Sequence, residues 1–377
     1  MYWHACHIGR LDWIRKAAGS EVVTFVDNHT PFSSELFSFP DLDGQEAQVL
    51  VVRATYRKGS TDQLEVVPEQ LPIQIADEHF GDPALSSVRY EADVAIEKAR
   101  VDVIVNGTAY APKDRATQQV IVKLEVGDIE KTVRVIGDRY RSVLGLSIPE
   151  PFISMPLIYE RAYGGSDTSD ANPRNHYVCK TNPVGLGFRN ALSQSRDILT
   201  EQPNLGFLTS GKETEPAGFG IIARSWSPRI EFAGTFDEEW RTYRWPLMPR
   251  NFDLRHYQIA PLDQQTNLLQ TATPVRLTNF TPDGAWEFAL PPAELPVYLV
   301  SNFDVLEAYP RMDTVLIEPD LGQVSLTFRL KLTLERGRQH LREIVIGPMT
   351  RGMLLAKERQ KPFIEMRDLG KRKSEGQ

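Results

Sequence analysis

Cysteine is almost missing from this chain. Cys6 and Cys179 are the only two in 377 residues, too few for a disulfide framework or a cysteine-based zinc site, so a reducing compartment fits best. Long hydrophobic runs are missing as well. No window approaches the roughly 18 apolar residues of a membrane span, and no membrane insertion is expected. An excess of basic residues is also lacking: 43 Lys and Arg stand against 50 Asp and Glu, a formal net charge of −7. Nucleic acid is therefore not expected as the main partner, because phosphate binding needs clustered Lys and Arg. The opening stretch Met1–Arg10 carries His and Arg without an apolar run, so no classical signal peptide is expected and the chain is expected to work in the cytoplasm. There is no internal repeat, no G-x-S-x-G elbow and no H-E-x-x-H helix, and the seven histidines form no evident triad.

What the chain does have is strand pattern. From Val120 it reads V-I-V-K-L-E-V, then Gly127-Asp128, then I-E-K-T-V-R-V. Val120, Val122, Leu124 and Val126 share one face, and a Gly-first two-residue loop supplies the positive φ of a type II′ hairpin turn. A second hairpin is read from Val275–Phe280 and Trp286–Leu290 around Thr281-Pro282-Asp283-Gly284. A third joins Val315 and Ile317, through Pro319-Asp320-Leu321-Gly322, to Val324, Leu326, Phe328, Leu330, Leu332 and Leu334. Those six alternate with Ser, Thr, Arg and Lys, which predicts a half-buried antiparallel strand with one wet face. Short helices are predicted at Asn190–Leu199 and Met353–Gln360, the latter stopping before Pro362. The fold class expected is mainly β: antiparallel sheets, sandwich or barrel-like, with long structured loops and a few short helices. Residues 149–263 are rich in Pro, Gly, Asn, Trp and Arg, and their many aromatics favour ordered loops over disorder.

Candidate chemistry is sparse. G-F-L-T-S-G-K-E-T (Gly206–Thr214) is one insertion away from a phosphate-binding loop. It lacks the flanking strand and helix, and Glu213 stands where a magnesium-binding hydroxyl belongs, so an exposed loop is expected. Asp253, His256 and Asp263 are candidate metal ligands, yet Arg250 and Arg255 beside them favour a satisfied polar cluster. Glu160-Arg161, set among Leu157, Ile158, Ala162 and Tyr163, is read as a structural ion pair before a catalytic acid. No cofactor is expected.

Several blocks together carry a resemblance. They are V-D-V-I-V-N-G-T-A-Y-A-P (Val101–Pro112), P-E-P-F-I-S-M-P-L-I-Y-E-R-A-Y-G-G (Pro149–Gly165), N-P-V-G-L-G-F (Asn182–Phe188), P-A-G-F-G-I-I-A-R-S-W-S-P-R (Pro216–Arg229), A-G-T-F-D-E-E-W (Ala233–Trp240) and P-R-N-F-D-L-R-H-Y-Q-I-A-P-L-D-Q-Q (Pro249–Gln265). In order and wording, over roughly Val22 to Leu290, the chain resembles a bacterial domain-of-unknown-function family whose genes sit beside type VI secretion spike (VgrG) and PAAR-like effector genes. Leu254–Tyr257 and Asn172–Lys180 depart from the family pattern.

The resemblance implies an effector adaptor or chaperone without catalytic residues, whose partners are a PAAR-containing effector and the VgrG spike. The family's β-rich domain is expected over residues 1–290, and the residues beyond it read as a hairpin-and-helix extension over 291–369 and, from the polar run G-K-R-K-S-E-G-Q, a disordered tail over 370–377. Trp226, Arg229, Trp240 and Arg241 are of the residue types that dominate binding hot spots, and they are the candidate partner-binding residues. The rival readings are an envelope-polymer hydrolase using Glu160, Asp253 and His256, and a carbohydrate-binding module.

Overall fold

The computed structural model describes residues 25–60, 63–142, 144–189, 200–208, 211–212, 214–292, 294–333, 341–361 and 363. The helix expected at 190–199 and the tail expected at 370–377 lie outside them. Three sheets gather most of the strands. In chain order these are β1 (Phe25–Asn28), β2 (Ser33–Pro40), β3 (Glu46–Lys58), β4 (Leu64–Val66), β5 (Val101–Val105), β6 (Gln119–Val126), β7 (Ile129–Ile136), β8 (Leu205–Phe207), β9 (Gln265–Thr266), β10 (Pro274–Thr278), β11 (Ala285–Ala289), β12 (Val297–Ser301), β13 (Val305–Ala308), β14 (Arg311–Glu318), β15 (Gln323–Thr333) and β16 (Leu341–Ile346). Two α-helices are described, α1 (Glu238–Tyr243) and α2 (Arg351–Glu358). None of the described helices is long and apolar enough to cross a membrane.

The largest sheet has the order β2-β3-β15-β14-β5-β9, with β4 added beside β3. A second runs β8-β7-β6-β10-β11 and a third β1-β16-β12-β13. Neighbours in these sheets are antiparallel except β1 with β16 and β5 with β14. The fold is therefore mainly β and mostly antiparallel, and its sheets stay open, with no closed barrel among the described residues.

All three predicted hairpins form. Gly127 turns β6 into β7 with φ +58°, as the turn type requires. β10 pairs with β11, and β14 with β15. The last pair then does something that alternation alone does not specify. β15 lies along β3 from Gln323–Arg57 to Thr333–Ala47, and β14 lies along β5. Residues past 310 thus complete a sheet begun before residue 60.

One face of this sheet is apolar. Leu50, Val52, Ala54, Tyr56, Val103, Val105, Val315, Ile317, Val324, Leu326 and Phe328 join the inward residues of the second sheet, Trp286 and Leu124 among them, in one continuous core.

The opposite face corrects the sequence reading. It was expected to be wet, yet Ser325, Thr327 and Arg329 are 3%, 2% and 6% exposed. The irregular segment 67–100 roofs it and supplies polar partners. Gln70 brackets Thr55, accepting from its N–H at 2.7 Å and donating to its carbonyl at 3.0 Å. Arg53 reaches Asp93 at 2.7 Å and the Pro72 carbonyl at 3.0 Å. Arg329 meets Asp313 at 2.6 Å and donates to the carbonyls of Asp93 and Ala95. Buried polar groups persist when bonded, and here Arg53, Thr55 and Arg329 each meet a roof group, while Ser325 lies 3.4 Å from Thr55 on the neighbouring strand.

Asp102 on β5 is the centre of this layer and is wholly buried. Its carboxylate accepts from Lys98 Nζ at 2.9 Å, Gln258 Nε2 at 3.0 Å, and the backbone N–H groups of Ile259 at 3.0 Å and Ala260 at 3.1 Å. One side chain thereby ties the sheet to the roof and to the loop at residues 258–260.

Replacing Asp102 by Ala leaves the buried Lys98 ammonium unpaired, so a loss of about 3–5 kcal/mol in unfolding free energy is expected in urea titrations. The exposed Arg276–Glu287 pair, 3.1 Å apart, serves as control: Arg276→Ala should leave the midpoint within experimental scatter. Equal effects from the two substitutions would show that the Asp102 layer is not a structural centre.

Candidate functional site

Residues 216–265 contain little regular structure, so side-chain bonds decide their shape. Arg229 begins the 3₁₀ turn Arg229–Ala233 and is 4% exposed. Its guanidinium forms a two-point contact with Glu91, Nη1 at 2.7 Å and Nη2 at 2.8 Å. It also donates to the Ile222 carbonyl at 2.5 Å and to the His256 carbonyl at 2.7 Å. Arg224 adds a second cation, 2.8 Å from Asp77 and 3.3 Å from Glu91.

Burial would push the Glu91 carboxyl up, but Arg229 and, after it, Arg224 outweigh burial and hold its pKa at about 2. His256 Nδ1 lies 2.9 Å from the Arg229 carbonyl. A carbonyl only accepts, so Nδ1 carries the proton. Burial lowers the pKa of His256, partly countered by that bond, and the ring is neutral at pH 7. The His256 ring packs against Phe252 and Tyr257, and the buried Trp226 stands edge-on to Tyr159 with ring centroids 5.5 Å apart.

Glycines let two further loops press together. Gly164 has φ +151°, and a Cβ there would stand 2.1 Å from the Asn182 carbonyl oxygen. Asn182, fully buried, donates to the carbonyls of Tyr159 at 2.9 Å and Tyr163 at 3.0 Å. The Gly164-Gly165 and Gly185-x-Gly187 blocks are thus one close backbone contact.

The candidate acids and ligands read from the sequence are not brought together. Glu160 and Arg161 do not pair with each other, contrary to expectation. They are successive residues of a 3₁₀ turn and reach opposite neighbours. Glu160 accepts from Ser87 N at 2.8 Å and Ser87 Oγ at 2.7 Å, whereas Arg161 bonds Asp138 at 3.1 Å and Asn204 at 3.2 Å. Asp253 caps the turn Leu254–Tyr257 and holds Arg255 at 2.6 Å, a bond that keeps its carboxyl below the usual range. Asp263 belongs to Lys131, 2.9 Å away. Among the described residues, no three His, Cys, Asp or Glu side chains stand together as metal ligands. In the loop at 206–214, Lys212 lies over the Phe207 ring at 5.0 Å; residues 209–210 and 213 lie outside the described residues.

Of the four candidate partner-binding residues, Trp226 and Arg229 are interior, while Trp240 and Arg241 belong to a knob at residues 235–248. Asp237 caps α1, accepting from Trp240 N at 2.8 Å, and Glu238 and Glu239 in the first turn suit the helix dipole. Trp240 donates through Nε1 to the Leu247 carbonyl at 2.9 Å and stands edge-on to Phe236 at 4.8 Å. Arg244 donates to the carbonyls of Met248 and Leu42, fastening the knob to the turn at residues 41–45. This bracing leaves Phe236, Tyr243 and Trp245 exposed by 42%, 83% and 58%. Arg241 is 71% exposed and pairs with Glu238 at 2.7 Å. Such an arrangement has the makings of a binding surface: rigid aromatic area with charges at its rim.

Sequence reasoning missed Glu91, the partner of Arg229, because it is a single acid in an irregular stretch with no spacing to announce it. It likewise missed Asp102 inside an apolar strand. There a signal was available: one acid in V-D-V-I-V must be paired if the strand is buried.

A family model described as an uncharacterized protein conserved in bacteria (DUF2169) matches residues 43–329, about three quarters of the chain. The match takes in Glu91, Asp102, Arg229 and the whole knob, and its description names no activity or partner. No curated protein and no solved structure matches the chain.

Glu91→Gln is expected to cost about 3 kcal/mol at neutral pH, the value of holding the carboxyl near 2 against an ordinary 4.5. The folded value is depressed, so this stabilisation is complete above pH 4.5 and is lost as pH falls toward 2. Denaturant titrations of wild type and variant should therefore diverge most above pH 4.5 and converge below it. A gap that does not change with pH would refute the ion-pair origin.

Proposed function

The chain belongs to this bacterial family, and on that premise we propose that it is a non-enzymatic adaptor for a type VI secretion effector. In this reading it binds the PAAR-like or N-terminal region of the effector in the cytoplasm, shields apolar surface there and promotes docking on the VgrG spike. The toxic domain stays free. The observation that carries the reading is the braced aromatic knob, in which half-buried Trp240 and Arg244, bonded to backbone carbonyls, hold Phe236, Tyr243 and Trp245 exposed beside Arg241. Loops held on a rigid sheet in this way make a defined recognition surface. The ordered family blocks in the sequence support the type VI context. Against the hydrolase reading, Glu160, Asp253 and His256 are each engaged with a different protein group and do not converge on a common point. The exposed Tyr243 and Trp245 are what a carbohydrate-binding reading would use.

Co-expression pull-down with the full effector of a neighbouring gene, its PAAR region and its isolated toxic domain tests the proposal. The first two should co-purify with the protein and the third should not. The double variant Arg241→Ala/Tyr243→Ala, at two exposed side chains, should weaken capture by about tenfold or more with an unchanged melting temperature. Deleting the gene should lower effector abundance and delivery while secretion of the tube protein continues. Binding to the toxic domain alone would point to an immunity protein. No binding, with normal delivery, would return the hydrolase to first place.

A further inference from the structure

A second surface is as exposed as the knob and opposite to it in character. After β7 the chain forms a small arm in which Tyr140–Ser142 pairs with Gly145–Leu146 on one side and Thr200–Glu201 on the other. Leu144 is 97% exposed and Ile148 77%, with Leu146 and Tyr140 exposed by 45% and 38%. Three aliphatic side chains and a tyrosine left open together are uncommon unless something covers them.

The base of the arm is positive. Arg139 is half-buried, its Nε is buried without a partner, and its one hydrogen bond is a long one, 3.3 Å, from Nη2 to the Pro203 carbonyl. Burial, then the charges of Arg134 and Arg141, lower its pKa. A guanidinium in this position gains from an incoming carboxylate. Glu150 and Glu201 stand nearby, so the rim carries both signs; that suits a matched protein surface better than a uniformly anionic membrane.

The knob is the complement. Asp237-Glu238-Glu239 is the only run of three acids in the sequence, and it lies beside exposed Phe236, Tyr243 and Trp245. Arm and knob are both open to solvent in the same molecule, so neither covers the other. We propose that the arm of one copy docks on the knob of a second copy, with Leu144 and Ile148 against Tyr243 and Trp245, and Arg139 and Arg141 against the acidic run. The two patches differ, so the contact is head-to-tail and leaves one arm and one knob free on every dimer. The inference stands independently of the adaptor reading.

Sedimentation of the full chain across a concentration series tests it, with Leu144→Asp as the arm variant and Tyr243→Asp as the knob variant. Both side chains are so exposed that neither substitution disturbs packing, and melting curves check this. Wild type should associate with concentration, and each variant alone should associate about tenfold or more weakly. Mixed one to one, the two variants should form a dimer and stop there, because each retains the half that the other lost. Arg141→Glu should weaken the contact and Glu239→Arg in the mixing partner should restore it. Wild type that stays monomeric up to about 1 mM overturns the proposal. So does association that survives Leu144→Asp, or a mixture that fails to dimerise. Binding of monomeric wild type to phosphatidylglycerol vesicles, lost in Leu144→Asp, would assign the arm to a membrane instead and equally overturn it.

Discussion

The carboxylate of Asp102 is the interaction on which the rest of the structure depends. It lies within an apolar strand with no access to water, and four donors converge on it, one from Lys98 just before the strand and three from the distant loop at 258–260. A buried charge without partners is very costly, so this strand is tolerable only in a fold that delivers those donors. Lys98 comes from the roof, whereas Gln258, Ile259 and Ala260 come from the loops that carry Arg229 and the knob. The requirement to satisfy one acid thereby couples the sheet, its cover and the loops that carry the knob.

The same logic extends across the polar face. Arg53, Arg329, Asp313 and Glu91 are each buried and each matched by a group from another part of the chain. Replacing such pairs by apolar residues is often neutral or stabilising, so their presence is not explained by stability alone. Ion pairs and bidentate contacts are directional, and here they fix irregular loops in one arrangement. Segments 67–100 and 216–265 have few strands or helices to hold them. Directional bonds from a rigid sheet are what gives them shape, and through Arg244 and Trp240 that order reaches the exposed knob.

Much of the fold was legible from local pattern. Val120–Val126 against Ile129–Val135, Trp286 with Phe288 and Leu290, and the long alternation after Val324 each announced a strand and its inward face. The wet face assigned to Ser325, Thr327 and Arg329 was misread, because alternation reports polarity and not exposure. A polar residue faces either water or a polar partner, and only the position of residues 67–100 distinguishes the two. The candidate site was legible in part. The four candidate residues divide: Arg241 is exposed and Trp240 half-buried in the knob, while Trp226 and Arg229, eleven and more residues earlier, turned inward. The expected Glu160–Arg161 pair came apart because neighbours in sequence on a tight turn diverge in direction.

By itself the sequence determined three hairpins and the apolar face of each, because these depend on contacts between residues close along the chain: side-chain period and glycine φ; strands such as Glu46–Lys58, buried on both faces, carry no alternation and went unread. Of the charges that end up buried the sequence announced few: Asp102 inside an apolar strand went unread, and Arg329 was expected to face water. Which charge meets which was decided only by the tertiary structure. Glu91 finds Arg229, and β15 settles beside β3, across stretches of chain whose ends carry no mutual signal. Such pairings are selected by the three-dimensional requirement that every buried donor and acceptor be met at once, a condition on the whole molecule that no local pattern expresses.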